Sequence, residues 1–273
     1  MKCLSNLRSS KLFTFSAAAL AGLAISAQAQ YTLTDGNSRA DLNPNGQAGM
    51  YNWFVDGVDH LTQQWFWFGI GPDREFSIET ISPAAVNQSA ANSLTATYNN
   101  NLLNLRIDYI LTGGSVGSRL STILESITLV NHSGSEMPLR FYQYTDLDIL
   151  GTAGGDTVQL DTDTFNRFNY ALQTDGPLAF GEVGVTLGAT HGEVSLFPVI
   201  LNALNDAVPT TLNDFAGPIG PGNATFGFEW DVVLPDGGTL AVSKTKYLEI
   251  VPEPGALTLV SLGLLGLVLR RRK

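Results

Sequence analysis

The chain has a single cysteine among 273 residues, and that residue, Cys3, precedes the first apolar segment. The segment that carries it has the composition of a cleaved export signal, so the mature protein is expected to contain no thiol. This excludes disulfide bonds, a nucleophilic cysteine and cysteine ligands for metals. Exported domains often use disulfides for stability, and this one must therefore depend on burial of a large core.

Basic residues are also scarce, at 15 Lys and Arg against 25 Asp and Glu. Three of the basic residues precede residue 30 and four follow Leu269, whereas Glu253 is the one acidic residue in these end segments. The middle keeps eight basic and 24 acidic residues, a net charge of about −16. Such a charge repels nucleic acid and anionic lipid and favours cations such as Ca²⁺. Nucleic acid is therefore not expected as a partner.

Several catalytic motifs are missing. The three histidines, His60, His132 and His191, show neither His-x-x-x-His nor His-Glu-x-x-His spacing for zinc, and no phosphate-binding loop occurs. We expect these histidines to lie unpaired at the surface. Two carboxylates about 5 to 9.5 Å apart would serve a glycosidase, and an acidic chain does not exclude such a pair. We expect no enzymatic activity, with a secreted glycoside-acting hydrolase as the least favoured alternative.

The N-terminus has the three parts of a secretory signal peptide. Lys2, Arg8 and Lys11 are basic, the stretch from Leu12 to Ile25 is apolar, and Ala27-Gln28-Ala29 is a small-x-small cleavage site. Cleavage after Ala29 is predicted, which makes the Sec export machinery and signal peptidase the first partners. An uncleaved N-terminal anchor is the alternative.

The C-terminus also has three parts. Pro252-Glu253-Pro254 precedes an apolar stretch from Ala256 to Leu269, and Arg270, Arg271, Arg272 and Lys273 end the chain. The apolar stretch is about 14 residues, roughly 21 Å as a helix, whereas a comfortable span needs about 20 residues. We predict a short transmembrane helix whose basic end stays in the cytoplasm, so that the preceding chain lies across the membrane. A plain membrane tail is the alternative.

The segment from Val251 to Leu259, followed by Leu, Gly and Val residues and the basic cluster, resembles the PEP-CTERM domain of Gram-negative bacteria. The resemblance implies that an exosortase, a membrane-embedded cysteine protease, recognises Pro252-Glu253-Pro254. It also implies a transient anchor that is removed near the motif, and an association with exopolysaccharide. The predicted parts are a signal peptide (1–29), an exported domain (30–251) and a sorting and anchor segment (252–273).

The exported domain has the pattern of an all-β, antiparallel β-sandwich. Leu103, Leu105, Ile107 and Tyr109 alternate with polar residues, as expected of a strand with one buried face. Further strands are predicted at Trp65–Ile70, Glu75–Ile81, Ser93–Tyr98, Leu120–Asn131, Leu139–Asp146, Phe165–Leu172, Leu178–Leu187, Phe226–Leu234 and Leu240–Ile250. Pro235 to Gly238 predicts a hairpin turn. Val199 to Ala207 has the one plausible helical period, and a loop rich in Pro and Gly follows.

The domain also loosely resembles the ectodomains that often precede this kind of anchor. The stretch Phe226–Gly237 followed by Ser243–Lys246 looks like their closing pair of strands. The stretch Ile127–Asp148 is similar to segments of bacterial carbohydrate-associated β-sandwiches. No activity follows from these two likenesses.

Acidic residues are concentrated around a glycine-rich loop at 151–155. These are Asp146, Asp148, Asp156, Asp161 and Asp163. Carboxylate oxygens flanking a flexible loop suit Ca²⁺, although the spacing does not match an EF-hand. The alternative is a solvated, turn-rich rim of a hairpin, where Asp and Gly are common. We expect no cofactor, with calcium as the one candidate ion.

Four consecutive aromatic residues occupy 65–68. In a strand Trp65 and Trp67 share one face while Phe66 and Phe68 share the other, so both faces are aromatic. One face belongs to the core, and the second must be covered by a loop, another sheet or a sugar ring. Trp65 and Trp67 are therefore candidate sugar-facing residues, with burial inside a thick sandwich as the alternative.

Together these patterns predict an exported protein that is first anchored in the membrane and then lies at the cell surface or outside the cell. We expect a non-enzymatic surface or matrix protein associated with exopolysaccharide and biofilm. A carbohydrate- or calcium-binding module is the alternative.

Overall fold

The computed structural model describes residues 30–176, 178–184 and 187–250. The predicted signal peptide, with Ala27 and Ala29 at its cleavage site, lies outside the described residues. The motif Pro252-Glu253-Pro254, the predicted transmembrane helix and the basic end from Arg270 to Lys273 also lie outside them. None of the helices in the described part of the chain is long and apolar enough to cross a membrane.

The described chain is mostly strand, at 60% of residues against 6% helix. The first nine strands are β1 (Tyr31–Asp35), β2 (Ser38–Asn43), β3 (Gly49–Val55), β4 (Val58–Asp59), β5 (Gln63–Ile70), β6 (Phe76–Ser77), β7 (Ala85–Ala90), β8 (Ser93–Asn99) and β9 (Leu103–Gly113). The others are β10 (Ser121–Asn131), β11 (Met137–Asp146), β12 (Asp156–Thr162), β13 (Phe168–Asp175), β14 (Leu178–Gly184), β15 (His191–Leu196), β16 (Ile219–Gly222), β17 (Ala224–Leu234) and β18 (Thr239–Ile250). One α-helix, α1 (Val199–Asn205), and two 3₁₀ turns (Ile78–Thr80 and Ile149–Gly151) complete the elements of the described ranges. The prediction of an all-β fold is confirmed.

The strands form two sheets that pack face to face. Sheet A has the order β1-β2-β3-β5-β11-β17-β15, with β4 beside β3 and β6 beside β5. Sheet B has the order β16-β12-β13-β14-β18-β10-β9-β8-β7. Neighbouring strands are antiparallel except for a short parallel contact between β3 and β5, where Met50 lies opposite Gln64. The predicted antiparallel sandwich is therefore correct in architecture.

The alternating pattern of β9 sets the inner face of sheet B. Leu103, Leu105, Ile107 and Tyr109 are all buried, and the register pairs Ile107 with Ile127 of β10, which is also buried. Aromatic side chains of sheet A fill the opposite side of the core, with the rings of Phe66 and Phe141 stacked at 5.6 Å. Burial of this apolar area is the main stabilising term of the fold.

Four charged side chains also lie between the sheets. Lys244 and Lys246 of β18, Glu125 of β10 and Glu182 of β14 are each at most 3% exposed. Nζ of Lys244 lies 2.9 Å from Oε2 of Glu125 and 3.3 Å from Oε1 of Glu182. Lys246 is paired with Glu125 as well. Two cations face two anions, so this buried ionic group carries no net charge, which limits its desolvation cost.

The predicted hairpin at Pro235 to Gly238 is wrong. The turn is present, but β17 pairs with β11 and β15 in sheet A, whereas β18 pairs with β10 and β14 in sheet B. The turn therefore carries the chain from one sheet to the other, and the two strands are not a pair. Turn composition indicates a chain reversal, and the pairing partner depends on the burial pattern of distant strands.

A second connection between the sheets, from β10 to β11, lies beside this turn. The side chain of Asn131 forms hydrogen bonds with both connections. Its side-chain nitrogen donates to the carbonyl oxygens of Ser135, Leu234 and Pro235 at 2.7, 2.9 and 3.1 Å. Its side-chain oxygen accepts from the backbone N–H of Ser133 at 2.9 Å. One buried side chain thus fixes both crossings at this end of the sandwich.

Two other local predictions differ from the structure. The predicted strand at Glu75–Ile81 is wrong, because only Phe76 and Ser77 are extended before a 3₁₀ turn begins at Ile78. The helix predicted at Val199–Ala207 is observed as α1, which ends at Asn205. It buries Ile200 and Leu204 against sheet A.

Candidate functional site

A row of four side chains crosses sheet A on the face that points away from sheet B. The register places Trp67 of β5 opposite Tyr142 of β11, Tyr142 opposite Glu229 of β17, and Glu229 opposite His191 of β15. Directly paired residues of neighbouring strands share a face. The adjacent Gln143 donates to Glu182 of sheet B at 2.8 Å, so the row itself lies on the outer face.

The outer face is closed by residues 199–214, which we call the cover segment. It comprises α1 and the chain that follows. A glycine, Gly227, allows its close approach, because a Cβ atom there would lie 3.3 Å from Cδ1 of Leu212 and 3.4 Å from Cγ2 of Ile200. The side-chain nitrogen of Trp67 donates to the Asn205 side chain at 3.4 Å. The cover segment therefore packs directly on the row.

The hydroxyl of Tyr142 is the centre of the polar contacts under the cover segment. It lies 2.7 Å from the carbonyl oxygen of Thr210, 3.1 Å from Oε1 of Glu75 and 3.3 Å from Oε1 of Glu229. A phenol has one proton to donate. Three acceptor oxygens thus compete for it, and a second proton on one of the two carboxyl groups would let that group donate to the phenolic oxygen.

Burial favours that second proton on Glu229 below about pH 7. Loss of solvation raises the pKa of Glu229 to about 7, against the opposing effect of the Leu212 N–H, which donates to its Oε2 at 2.8 Å. Glu193 lies on the same face, where burial also raises its pKa and the Asn213 N–H donates at 3.1 Å. The cover segment supplies backbone donors to both carboxyl groups.

Glu75 is held by opposite charge as well as by the cover segment. Nη2 of Arg140 lies 3.4 Å from Oε1 of Glu75, and Thr210 N–H donates to both carboxylate oxygens at 3.0 and 3.1 Å. Because Glu75 and Glu229 contact the same hydroxyl, at 3.1 and 3.3 Å, the two carboxyl groups lie close together under the cover segment. The sequence gives no sign of this pair, which is distant along the chain.

At the edge of the face, His191 is bound to the cover segment. Its Nδ1 lies 3.0 Å from Oδ1 of Asp214. Another histidine, His60, is buried at 3% exposure, accepts from the backbone N–H of Leu150 at 3.1 Å, and has a pKa lowered to about 4 chiefly by burial. The expectation of unpaired surface histidines is therefore wrong for both.

The two candidate sugar-facing residues are covered by their own chain. Trp65 is 1% exposed and Trp67 is not exposed. The indole N–H of Trp65 lies 3.0 Å from the Ser77 hydroxyl and 2.9 Å from Oε2 of Glu79. The second aromatic face of β5 is thus covered by the Ser77–Glu79 segment and by the cover segment, and neither indole offers an open ring to a ligand.

The five aspartates considered for calcium fall into two groups. Asp146, Asp148 and Asp156 lie near the Ile149–Gly151 turn, whereas Asp161 and Asp163 lie at the far end of β12, roughly 16 Å away at strand spacing. Within the described ranges, no three His, Cys, Asp or Glu side chains are placed to hold a metal ion. Asp163 instead accepts the N–H groups of Phe165 and Arg167 at 2.8 and 3.1 Å, which closes a turn.

Asp146 and Asp156 differ from ordinary rim residues because they are buried, at 1% and 0% exposure. One oxygen of each carboxyl group has no hydrogen-bond partner among the described residues. Burial raises both pKa values to about 7, with smaller contributions from Asp148 to each. These two groups are therefore largely protonated in mild acid and charged in mild base.

Residues 113–117 read Gly-Gly-Ser-Val-Gly, which fits the Gly-x-Ser-x-Gly pattern of serine hydrolases. That pattern requires a strand, a sharp turn and a helix. Here Ser115 lies in the exposed loop between the antiparallel strands β9 and β10, and no helix follows. The segment lacks the structural context of a nucleophile.

An open groove lies beside this loop, at one end of the sandwich. The ring of Phe54 forms part of its surface, and the guanidinium of Arg39 lies 4.1 Å from the ring centroid. Asp56 fixes the surrounding turns, because it accepts the N–H groups of Gly117 and Arg119 at 2.6 and 2.8 Å. The groove has a volume of about 710 Å³, and its lining consists of Thr34, Gly36, Asn37, Ser38, Arg39, Phe54, Asp56, Gly57, Val116 and Gly117.

Residues 251–273 match the family model of the PEP-CTERM protein-sorting motif, which confirms the resemblance inferred from the Pro-Glu-Pro sequence. The motif implies an exosortase as processing partner and export to the cell envelope or surface. The match begins where the last described strand has ended. A comparison with curated protein sequences gives no match.

Among solved structures, the chain is similar to a bacterial glucoamylase complexed with acarbose, at 12% identity and a TM-score of 0.58. The match covers 86% of this chain and 34% of the glucoamylase, so the chain spans about a third of that protein. It is also similar to the Slr1438 protein from Synechocystis sp. PCC 6803, at 12% identity and a TM-score of 0.55, covering 81% of this chain and 96% of the other.

A galactose mutarotase-like protein from Clostridium acetobutylicum is similar as well, at 8% identity and a TM-score of 0.51. That match covers 81% of this chain and 95% of the other. At such identities the likeness shows a shared fold and carries no activity with it.

Proposed function

We propose that the exported domain is a non-enzymatic, polysaccharide-binding component of the cell surface or extracellular matrix, delivered there by exosortase sorting. The observation that carries the non-enzymatic part is the closure of sheet A. The carboxyl groups of Glu75 and Glu229 and the hydroxyl of Tyr142 bind the backbone of Thr210 and Leu212. A catalytic acid pair needs access to substrate and water, and here the protein's own chain occupies that position.

The groove beside Phe54 supports the polysaccharide-binding part. A half-buried aromatic ring beside amide, hydroxyl and carboxylate groups suits a sugar, whose apolar ring face packs on the aromatic ring and whose hydroxyl groups need hydrogen-bond partners. The side chains of Asn37, Ser38 and Asp56 supply such groups. The fold neighbours, described as a glucoamylase with acarbose and a galactose mutarotase-like protein, are consistent with a carbohydrate ligand.

The charge of the exported domain selects among polysaccharides. At about −16 the domain repels polyanions, so we expect neutral polymers to bind directly. Anionic polymers would require divalent cations to bridge the two negative surfaces.

Co-sedimentation of the purified mature protein with starch granules, cellulose and alginate tests this proposal. We expect binding to at least one neutral polymer, and a loss of roughly fivefold in affinity for Phe54→Ala, since an aromatic contact of this kind is worth about 1 kcal/mol. Phe165→Ala is the matched control, because Phe165 is 80% exposed in the turn between β12 and β13, away from the groove. It should bind as wild type does.

Two results would refute the proposal. One is the absence of binding to any of the polymers at neutral pH. The other is release of reducing sugar, or accelerated interconversion of sugar anomers, that disappears in Glu229→Gln. The second result would identify the outer face of sheet A as an active site that opens when the cover segment moves.

A further inference from the structure

An amine and an amide meet in the core of the sandwich. Nζ of Lys246 lies 3.2 Å from Oε1 of Gln64. Lys246 belongs to β18 of sheet B and Gln64 to β5 of sheet A, so the contact bridges the two sheets. Gln64 is not exposed and Lys246 is 3% exposed. The carbonyl carbon of Gln64, which an amine would attack, is bonded to Oε1 at about 1.2 Å, so it lies within about 4.4 Å of Nζ.

The other side of the amide is empty of partners. Nε2 of Gln64 is buried and has no hydrogen-bond partner among the described residues. A buried amide nitrogen without a partner is costly. Its departure as ammonia would therefore remove an unfavourable group and break no hydrogen bond.

A base is in contact with the amine. Lys246 is paired with the carboxylate of Glu125, which also lies 2.9 Å from Nζ of Lys244. Burial lowers the pKa of Lys246, against the opposing attraction of Glu125. Transfer of a proton from Lys246 to Glu125 releases a neutral, nucleophilic amine without adding net charge to the core.

We propose that Lys246 and Gln64 form an intramolecular isopeptide bond between the two sheets. Glu125 takes a proton from the Lys246 ammonium, and the free amine attacks the side-chain carbonyl carbon of Gln64. The bond from Nζ to this carbon forms as the bond from the carbon to Nε2 breaks, and Nε2 leaves as ammonia with a proton from the former ammonium. No oxidant, reductant or second substrate is consumed.

The products keep the core neutral. The Lys246 cation has become an amide nitrogen, Glu125 keeps the proton it accepted, and Lys244 remains paired with Glu182 at 3.3 Å. Water is excluded from these residues, which protects the new amide from hydrolysis.

Peptide mapping of the mature protein by mass spectrometry tests the proposal. After denaturation and trypsin digestion, we expect peptide 40–74, which contains Gln64, to be joined to the peptide that begins at Thr245. The joined species should lack the mass of one ammonia, and trypsin should not cut after Lys246. A linear peptide 40–74 with an intact Gln64 amide, together with cleavage after Lys246, would overturn the proposal.

Two variants test whether the joined peptides depend on the Gln64 amide itself or only on a buried glutamine in sheet A. Gln64→Met keeps the volume and removes the amide, and should give only linear peptides and a lower Tm. Gln143→Met is the matched control, because Gln143 is also a buried glutamine of sheet A, but its amide contacts Glu182 and not Lys246. It should retain the joined peptides. If Gln64→Met does not fold, the wild-type map still decides the question.

Discussion

The phenolic oxygen of Tyr142 lies 3.3 Å from Oε1 of Glu229, its partner across strands β11 and β17, and both side chains are fully buried. The contact is favourable when Glu229 is protonated, because its carboxyl group then donates to the phenol while the phenol donates to the Thr210 carbonyl oxygen. With a pKa of about 7, Glu229 loses this proton near neutral pH. The fit of the cover segment on sheet A is thus tied to one proton.

Replacing Glu229 by glutamine should stabilise the domain in mild base. The amide of Glu229→Gln donates to Tyr142 at every pH and still accepts the Leu212 N–H. We expect a gain of about 1 kcal/mol at pH about 8, or roughly 2 to 4 °C in Tm, and little change at pH about 5. Thermal denaturation followed by circular dichroism at both pH values measures this. An equal effect at the two values would contradict the assigned protonation.

The stability of the wild-type domain should fall as the pH rises from about 5 to 7.5. Asp146, Asp156 and Glu229 have native pKa values of about 7, raised chiefly by burial from 3.8 for the aspartates and 4.5 for the glutamate. Between the ordinary and the native pKa values the native state binds more protons than the unfolded state, so the free energy of unfolding decreases with pH. The loss should be largely complete about one unit above pH 7.

His60 acts in the opposite direction over a lower range. Its native pKa is about 4 and its ordinary value is 6.5, so its contribution to stability rises between these values. The three carboxyl groups outweigh this one imidazole, so the net slope stays negative between about pH 5 and 7. A Tm series at constant ionic strength should therefore show the decrease most clearly over that range and level off above about pH 8. The slope should be smaller in Asp156→Asn, and an unchanged slope in that variant would contradict the assignment.

Calcium should not raise the Tm of the purified domain. The carboxylates of Asp161 and Asp163 are far from those of Asp146 and Asp156, and a bound ion would need several of them together. Thermal denaturation at about pH 8 with calcium, and with magnesium as control, measures this. A ligand that binds the native state raises its stability, so a calcium-specific increase in Tm would show that a site exists.

Removing the side chain of Asn131 should destabilise the domain strongly. Asn131→Ala deletes three hydrogen bonds donated to backbone carbonyl groups and one accepted from Ser133. We expect a loss of about 2 to 4 kcal/mol, or roughly 5 to 15 °C in Tm. The neighbouring His132 is exposed, so His132→Ala is the matched control and should change Tm by less than about 2 °C.

A larger side chain at Gly227 should lift the cover segment from sheet A. The position already places Leu212 and Ile200 at contact distance from a Cβ atom, and the branched carbons of Gly227→Val would overlap them. We expect limited proteolysis within residues 206–218 to become roughly tenfold faster, with the sheets intact by circular dichroism. Gly154→Ala is the control, because no atom lies within 4 Å of its Cβ position. Equal rates in both variants would mean that the segment is held elsewhere.

The sequence predicted those elements that have a strong period. The strict alternation in β9 gave both the strand and its buried face. The aromatic residues on both faces of β5 predicted that both faces are covered, and this is correct. The pattern did not show whether a loop or a sugar covers the second face. In contrast, β12 and β15 were not predicted, because they are short and contain Asp, Gly or Glu, which are rare in strands.

The contacts of the candidate site were not predictable from local pattern. Glu75, Tyr142 and Glu229 are far apart in the chain, and the order of strands in sheet A brings them together. The same holds for Gln64 and Lys246, which belong to different sheets. Strand order depends on which strand faces can be buried together, and the local pattern of a single sequence does not predict it.

The last described strand also determines how the protein bears tension. β18 has β14 on one side and β10 on the other, and it ends at Ile250, just before the sorting motif. A force applied from the C-terminal side and directed along this strand would load the hydrogen bonds to both neighbours together in shear, instead of opening them one after another. Because β18 is the central strand of sheet B, such a force would have to extract the middle of that sheet before the domain could unravel.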